Sequence, residues 1–364
     1  MRSLLMWPRR HGSRLGGWLL LVVPGLVMAQ PPEIIPPELR GAVQPQAAVA
    51  PNGKVYVTFG RGSSVYCSVS TNGGGAFLRP VEVASLPKLA LGMRRGPRIV
   101  ASNNQITISA ISHDDGNLYS CTSENGGVSW SKGARINSVT NSAREGLHAM
   151  AGDGNGIVYT VWLDLRNKGT QLWGARSDDR GRTWARDVMI YQSPDGHICE
   201  CCHPSVQVCS DGAVRVMWPN WLGGSRDMYT ASSTDGGKTF GTAEKLGGGT
   251  WPLGGCPMDG GSLSWPYSTW RRGANVYHSG GGSGEHLLGK GTHPVVGVGK
   301  EGAYFVWQIG SQLMLKKGVA VQPVVFAEGA TYPAMAVASA QQPPVLVWES
   351  LTNGVKTILA EVVR

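Results

Sequence analysis

The chain has little charge, little helical periodicity and no basic runs. Only 16% of its 364 residues are Asp, Glu, Lys or Arg, and no Lys/Arg cluster stands out. That excludes the electrostatic footprint of a nucleic-acid binder. Few long segments place apolar residues at a helical period, so a helical fold is disfavoured. Cysteine is also scarce: there are seven, so at least one thiol stays unpaired within the chain. The long apolar run GGWLLLVVPGLVMA follows Arg2, Arg9, Arg10 and Arg14 and ends in small residues before Gln30. It is short for a stable anchor and reads as a secretory signal peptide over residues 1–29. Its loss would take away four arginines and no acid, lowering the formal charge from +9 to +5. The remaining 30–364 is expected to be secreted or periplasmic, to have no membrane span and to be a monomer. Its mild basicity favours a glycan or another anionic small ligand.

Glycine and proline, by contrast, are plentiful, with 52 and 22 residues. They punctuate a repeat, Ser-x-Asp/Asn-x-Gly-x-x-aromatic. It occurs as STNGGGAF (70–77), SENGGVSW (123–130), SDDRGRTW (177–184) and STDGGKTF (233–240), at spacings of 53, 54 and 56 residues. A period near 50 signals repeated blades or solenoid coils. The pattern suits a β-turn: Asp or Asn caps the backbone, Gly supplies positive φ, and the aromatic ring plugs between neighbouring sheets. A second repeat consists of short strands ending in an aromatic, VYVTF, YTVW, RVMW, YSTW, YFVW and VLVW, with ITISAI filling the gap. Most follow another short strand, often opened by proline, as in GPRIVAS, CHPSVQV, THPVVGV and TYPAMAV. Seven such pairs allow about 48 residues per blade. The expected architecture is a single all-β domain over 30–364, a β-propeller of four-stranded antiparallel blades. Seven blades are favoured, with six and an extra edge hairpin as the alternative. The last three are expected to be shorter and lack the repeat. The final one, 331–364, shows three strands, so EIIPPEL (33–39) is the candidate for its fourth.

The four segments resemble the Asp-box, or BNR repeat, of the sialidase (neuraminidase) superfamily. The resemblance rests on Ser70, Asn72 and Gly74; Ser123, Asn125, Gly127 and Trp130; Ser177, Asp179, Gly181 and Trp184; and Ser233, Asp235, Gly237 and Phe240. It implies that each box joins the third and fourth strands of a blade, away from the ligand, with a structural role. The segments leading into each first strand, and the turns after each second strand, then share the opposite face. They carry Arg94, Arg95, Arg98, Glu145, His148, the CECCHP cluster, Cys256, Met258, Asp259, His293, Tyr332, Asp164, Arg166, Asn220, Arg226, Asp227, Arg271 and Arg272. So many polar groups on one face point to a concave site.

In sialidases three arginines clamp the sugar carboxylate, a tyrosine activated by a glutamate is the nucleophile, and an aspartate is the acid/base. Such a set holds an anionic substrate while positive charge develops at the anomeric carbon. By that resemblance Arg98 in RGPRIV is similar to the arginine of the Arg-Ile-Pro motif, although the order here is Pro-Arg-Ile. Tyr332 stands as nucleophile with Glu145 as partner, and Asp164 and Asp227 compete for the acid role. Arg166, Arg226, Arg271 and Arg272 complete the substrate-binding set. The leading expectation is a glycan-directed role, exo-sialidase-like hydrolysis or glycan binding.

The thiols suggest another class. CECC leads into the fourth blade and CPMDG into the fifth, so Cys199, Cys201, Cys202, Cys256, Met258 and His203 should approach one another. Soft sulfur donors suit Cu(I), or Zn(II) in a closed tetrahedron, so copper or zinc is the possible cofactor. Oxidation is the competing outcome, since secreted cysteines usually pair. A bridge from Cys199 or Cys201 to Cys256 would staple two blades; thiol redox chemistry is the third possibility. Cys67, Cys121 and Cys209 lie in strand-like segments and are expected to be buried spectators. Counted from their boxes, Cys67 and Cys121 should point to opposite sheet faces.

Overall fold

Six of the seven second strands combine β-branched residues with an aromatic near the end, and the other, ITISAI, is apolar without one, a composition suited to a sheet buried on both faces. In the computed structural model, which describes residues 31–364 other than Asn353, all of these segments are strands. The signal assigned to 1–29 lies outside the described residues. Seven antiparallel sheets form in chain order, six of four strands and one of three. Their first strands are Val43–Val49, Arg98–Ser102, His148–Gly152, Ser205–Val208, Ser262–Ser264, Thr292–Gly299 and Ala330–Ala336. Each touches the first strand of the next blade, and the last returns to the first, which closes a seven-bladed propeller. Among the described residues no helix is long and apolar enough to cross a membrane.

The seventh blade, built from Ala330–Ala336, Val345–Thr352 and Val355–Val362, has three strands of its own. The segment from Glu33 supplies its outer edge. Glu33 bridges Leu359, Ile34 N donates to Ile358 O at 3.0 Å, and Thr357 Oγ1 donates to Glu33 Oε1 at 2.6 Å. Ile34, Ile35 and Leu39 then pack between the first and seventh blades, so the two ends of the ring share one core. Blades five and six keep four strands; a Gly280–Gly282 turn replaces the box in the fifth.

The second-strand aromatics Phe59, Trp162, Trp218, Trp270, Trp307 and Trp348 are all 2% exposed or less. Each large ring removes about 150–250 Å² from water, so this inner belt dominates the packing energy. The box turns clamp the outer edge. In all four, the Ser Oγ accepts from the Gly N four residues on, at 2.7–2.9 Å, and donates to the Asn or Asp Oδ1 at 2.7–3.0 Å. The box aromatics reach the preceding blade: Trp184 Nε1 donates to Ser120 Oγ at 2.8 Å, and Phe240 meets Tyr159 edge-on at 6.2 Å. Gly237 must be glycine, because its φ is +88° and a Cβ would lie 2.1 Å from the Tyr159 ring. Replacing Ser233 by alanine removes the three hydrogen bonds of its hydroxyl, with Asp235 Oδ1, Asp235 N and Gly237 N, and should cost about 1–2 kcal/mol. A lowered urea midpoint at unchanged slope would register this.

Cys67 and Cys121 are buried in one cluster between the first two blades, consistent with opposite sheet faces turned toward each other. Cys209 departs from the expectation of a buried strand residue. The strand ends at Val208, and Cys209 N instead donates to Ala213 O in a turn built on Asp211 and Gly212, which leaves the thiol partly exposed.

Candidate functional site

Three first strands begin with the same irregularity. The register slips between Val43 and Gln46, between Thr292 and Val295, and between Thr331 and Ala334. Each slip contains an X-Pro pair, Gln44-Pro45, His293-Pro294 or Tyr332-Pro333. Proline has no N–H for the ladder, so it belongs at such bulges. Gln44, His293 and Tyr332 take positive φ values of 58°, 52° and 51° there. Left-handed backbone at a non-glycine residue is costly and must be held by its surroundings. The holding groups come from the preceding blade in every case. Gln44 N donates to Glu349 Oε1 at 2.9 Å, His293 N to Asp259 Oδ2 at 2.8 Å, and Tyr332 N to Gln308 Oε1 at 3.2 Å.

These bulges gather a polar centre at the end of the channel where the first strands begin. Asp259 Oδ1 lies 3.3 Å from His293 Nδ1 and accepts from Gly260 N at 2.9 Å. Burial alone would raise this carboxyl, but the hydrogen bonds and charge of His293, with Arg94 beyond, hold it at about 2. The His293 and Tyr332 rings face each other at 4.9 Å, and the Arg94 guanidinium stands 6.0 Å from the Tyr332 ring. Both histidine and tyrosine are partly accessible. Arg94 connects this pair to a cavity of about 200 Å³ that it lines with Arg98, His203, Ser205 and Met335, among others. A larger cavity of about 300 Å³ lies toward the box face and is lined mainly by small and apolar residues such as Ala48, Ile99 and Leu263. It carries less chemistry than the smaller one.

Arg94 and Arg98 are buried, and backbone carbonyls take up their donors except Arg94 Nε, which stands 3.5 Å from His293 Nδ1. Arg94 reaches Pro333 O and His293 O at 2.8 and 3.1 Å. Arg98 reaches the carbonyls of Arg94, Gly96, Pro97 and His148 at 2.5–3.1 Å. Burial, reinforced by Arg94, brings Arg98 down to about 9. Burial also pushes His148 and His203 well below the usual imidazole range, with nearby arginines adding to it. His148 Nε2 meets Ser109 Oγ at 3.0 Å, and the Nδ1 atoms of His148 and His203 are both buried without a hydrogen-bond partner among the described residues.

Of the other residues singled out from the sequence, Asp227, Arg226, Arg271 and Arg272 line one small crevice and the rest lie elsewhere. Asp164 is fully buried beneath Trp162 Nε1 at 2.7 Å and the fork of Arg166, which also pairs with Asp187. Asp227 pairs with Lys245 at 2.8 Å and accepts from Trp251 N at 2.8 Å. Glu145 has Glu200, Arg95 and Arg144 as its charged neighbours, and burial raises its pKa. Tyr332 has His293, Arg94 and Gln308, so no interaction among the described residues links it to Glu145. Arg271 donates to Gly273 O at 2.8 Å and approaches Asp259 at 4.0 Å, while Arg272 forks onto Glu285 at 2.6 Å. The substrate-binding arginines are thus spent on protein partners: Arg226, Arg271 and Arg272 line one small crevice, while Arg98 lines the axial cavity and Arg166 is held by Asp164 and Asp187. Missing from the sequence-derived catalytic set are Asp259, His293 and Arg94; the repeated X-Pro pairs carry the usable signal for His293.

Beside this centre, Cys201 is bonded to Cys256, with their Cα atoms 6.1 Å apart, and staples the fourth blade to the fifth. Cys199 Sγ lies 3.6 Å and Cys202 Sγ 3.8 Å from Cys201 Sγ, and Cys256 Sγ is 3.2 Å from Met258 Sδ. Arg226, stacked on Trp221 at 4.4 Å, donates to Cys199 Sγ at 2.9 Å. A hydrogen bond from Cys202 brings Cys199 down to about 7 against the effect of burial, with Arg226 contributing. Burial, then Cys199, pushes Cys202 up. His203 lines the axial cavity with Arg94 and Arg98.

No family model and no curated protein matches this sequence. Solved structures do. A protein of unknown function from Dyadobacter fermentans is 15% identical, with 94% of this chain and 100% of that chain covered at a TM-score of 0.54. The alpha-L-arabinanase of Penicillium chrysogenum, complexed with arabinobiose, is 14% identical over 88% and 93%, at 0.51. An alpha-L-arabinofuranosidase of Fusarium graminearum, in complex with an iminosugar inhibitor, is 13% identical over 91% and 96%, also at 0.51. At these identities the likeness is one of fold: the chain shares its propeller architecture with these proteins.

Proposed function

We propose that the chain is a secreted or periplasmic glycan-directed propeller, binding or cleaving a sugar at the face opposite the box turns. The carrying observation is the pair of bulges that brings the partly exposed His293 and Tyr332 rings together at 4.9 Å, with Asp259 holding the imidazole and its backbone. A carboxylate–imidazole pair beside a phenol can exchange protons with a sugar hydroxyl or a glycosidic oxygen. Trp221 and Trp251, stacked under Arg226 and Arg271, add partly exposed rings at the rim. The fold shared with an arabinanase bound to arabinobiose is consistent with this reading. The Cys201–Cys256 bond suits an oxidising compartment.

Within this reading a neutral sugar is favoured over a sialoside. Arg98, Arg166, Arg226, Arg271 and Arg272 all have protein partners, so clamping a carboxylate would require breaking existing contacts. The test is a panel of neutral glycans and aryl glycosides, arabinosides included, set beside sialosides and read by binding and by release. Neutral glycans should give the signal, and Tyr332→Phe should lower it at least tenfold by removing the hydroxyl while keeping the ring. Absence of both binding and turnover across the panel would overturn the glycan reading; sialosides outperforming neutral sugars would overturn its refinement.

A further inference from the structure

The sulfur cluster is larger than a disulfide needs. Five sulfur atoms, from Cys199, Cys201, Cys202, Cys256 and Met258, form one continuous group across the junction of blades four and five. The Sγ atoms of Cys199, Cys201 and Cys202 all lie within 4.8 Å of one another. All three residues are buried in a cluster of their own, with Met258 packed against it. Their local fold explains the convergence. Cys199 N donates to Pro219 O at 3.2 Å, which folds the CECC turn against the end of the second strand of its own blade. Arg226 then meets Cys199 from the next strand.

We infer that this cluster is a redox-gated binding site for a thiophilic d10 ion, with Cu(I) the best fit. The separations of 3.6 and 3.8 Å match the edge of a sulfur tetrahedron. With metal–sulfur bonds of about 2.3 Å that edge is about 3.8 Å. Three corners are therefore in place on one short turn. Cys256 is exposed, so it can swing off Cys201 once their bond is cut and become the fourth. The thioether of Met258 adjoins that corner, and thioether with thiolate is a donor set that favours Cu(I). Arg226 offsets part of the negative charge that the thiolates would bring into a buried site.

The gate follows from the bond itself. While Cys201 and Cys256 are joined, two of the four thiols are spent and the site is closed. A dithiol reductant opens it: the S–S bond breaks, both sulfurs leave as thiols, and the reductant becomes a disulfide, a balanced two-electron, two-proton exchange. Ion uptake then releases the thiol protons to solvent. The site is independent of the glycan reading, and either can fail alone.

The test uses the full chain and Cu(I) supplied from a competing chromogenic chelator. Dithiol-reduced protein, freed of reductant without air, should take up one equivalent; oxidised protein should bind at least 100-fold more weakly. Cys256→Ser, handled without air, cannot form the staple and should bind Cu(I) with no prior reduction. Cys199→Ser and Cys202→Ser should each weaken binding at least 100-fold in the reduced state, with far-ultraviolet circular dichroism confirming that they fold. Cys209→Ser, outside the cluster, should match the parent. Failure of the reduced protein to compete for Cu(I), equal binding by the oxidised form, or uptake of Zn(II) in preference to Cu(I) would overturn the assignment.

Discussion

Replacing Arg166 by methionine is expected to remove about 3–5 kcal/mol of stability at pH 7, since it strands two buried carboxylates without their cation. The side chains of Asp164 and Asp187 are 0% and 1% exposed, and that of Arg166 is 10% exposed. The guanidinium also lies 3.6 Å over the Trp173 ring. Methionine keeps most of that packing, so the loss isolates the charge. The pH dependence has a definite sign. Burial by itself would raise Asp187, but hydrogen bonds from Arg166 and Ser138 depress it below its ordinary value. The parent therefore has this contribution in full above the unfolded carboxylate range and loses it as pH falls through the folded value. In the variant the burial of Asp187 is no longer offset by Arg166, so protonation relieves it and the deficit should shrink between pH 7 and pH 4. Urea melts at the two pH values, with Asp187→Asn added to the variant, measure this. A deficit below 1 kcal/mol at pH 7, or one that pH does not change, would show that the pair is solvated and the argument misplaced.

The contrast between this network and the box turns shows what a sequence exposes. Ser177, Asp179 and Gly181 satisfy one another within five residues, so their geometry is encoded locally and repeats visibly. The buried tryptophans of the second strands are legible for a similar reason, because a short, continuous apolar run ending in a large ring reads as a strand buried on both faces. Ring closure by Glu33 followed from counting three strands in the last blade. The polar centre was harder to read. Asp259 meets His293 across a blade boundary, and Arg98 is absorbed by four carbonyls that no side-chain pattern marks. Gln308 and Glu349, each directly after a buried tryptophan, tie down the next blade's bulge, a role that depends on ring packing. The choice of Cys201 over Cys199 for the staple likewise depends on which thiol the CECC turn presents to Cys256.

Asp259→Asn should lower the glycan signal about 100-fold or more, the scale of a positioned proton-transfer group. The amide preserves the shape and one acceptor oxygen, so the backbone bond from His293 N can persist. It brings no negative charge, however, and turns an N–H₂ toward Gly260 N and His293 Nδ1, the two groups that now meet Oδ1. His293 would lose the anion that orients its ring, and Arg94 the opposite charge that offsets its burial. Some stability should go as well, so the comparison must be made well below the variant's melting temperature. The KM-against-kcat split, or affinity where no turnover is found, then separates chemistry from folding. Glu145→Gln is the matched control, since Glu145 lies among Arg95, Arg144 and Glu200 and shares no partner with His293 or Tyr332; its signal should fall less than threefold. The reverse pattern, a silent Asp259→Asn and a crippled Glu145→Gln, would move the active centre outward to the arginine-flanked loop and restore the glutamate as the partner that matters.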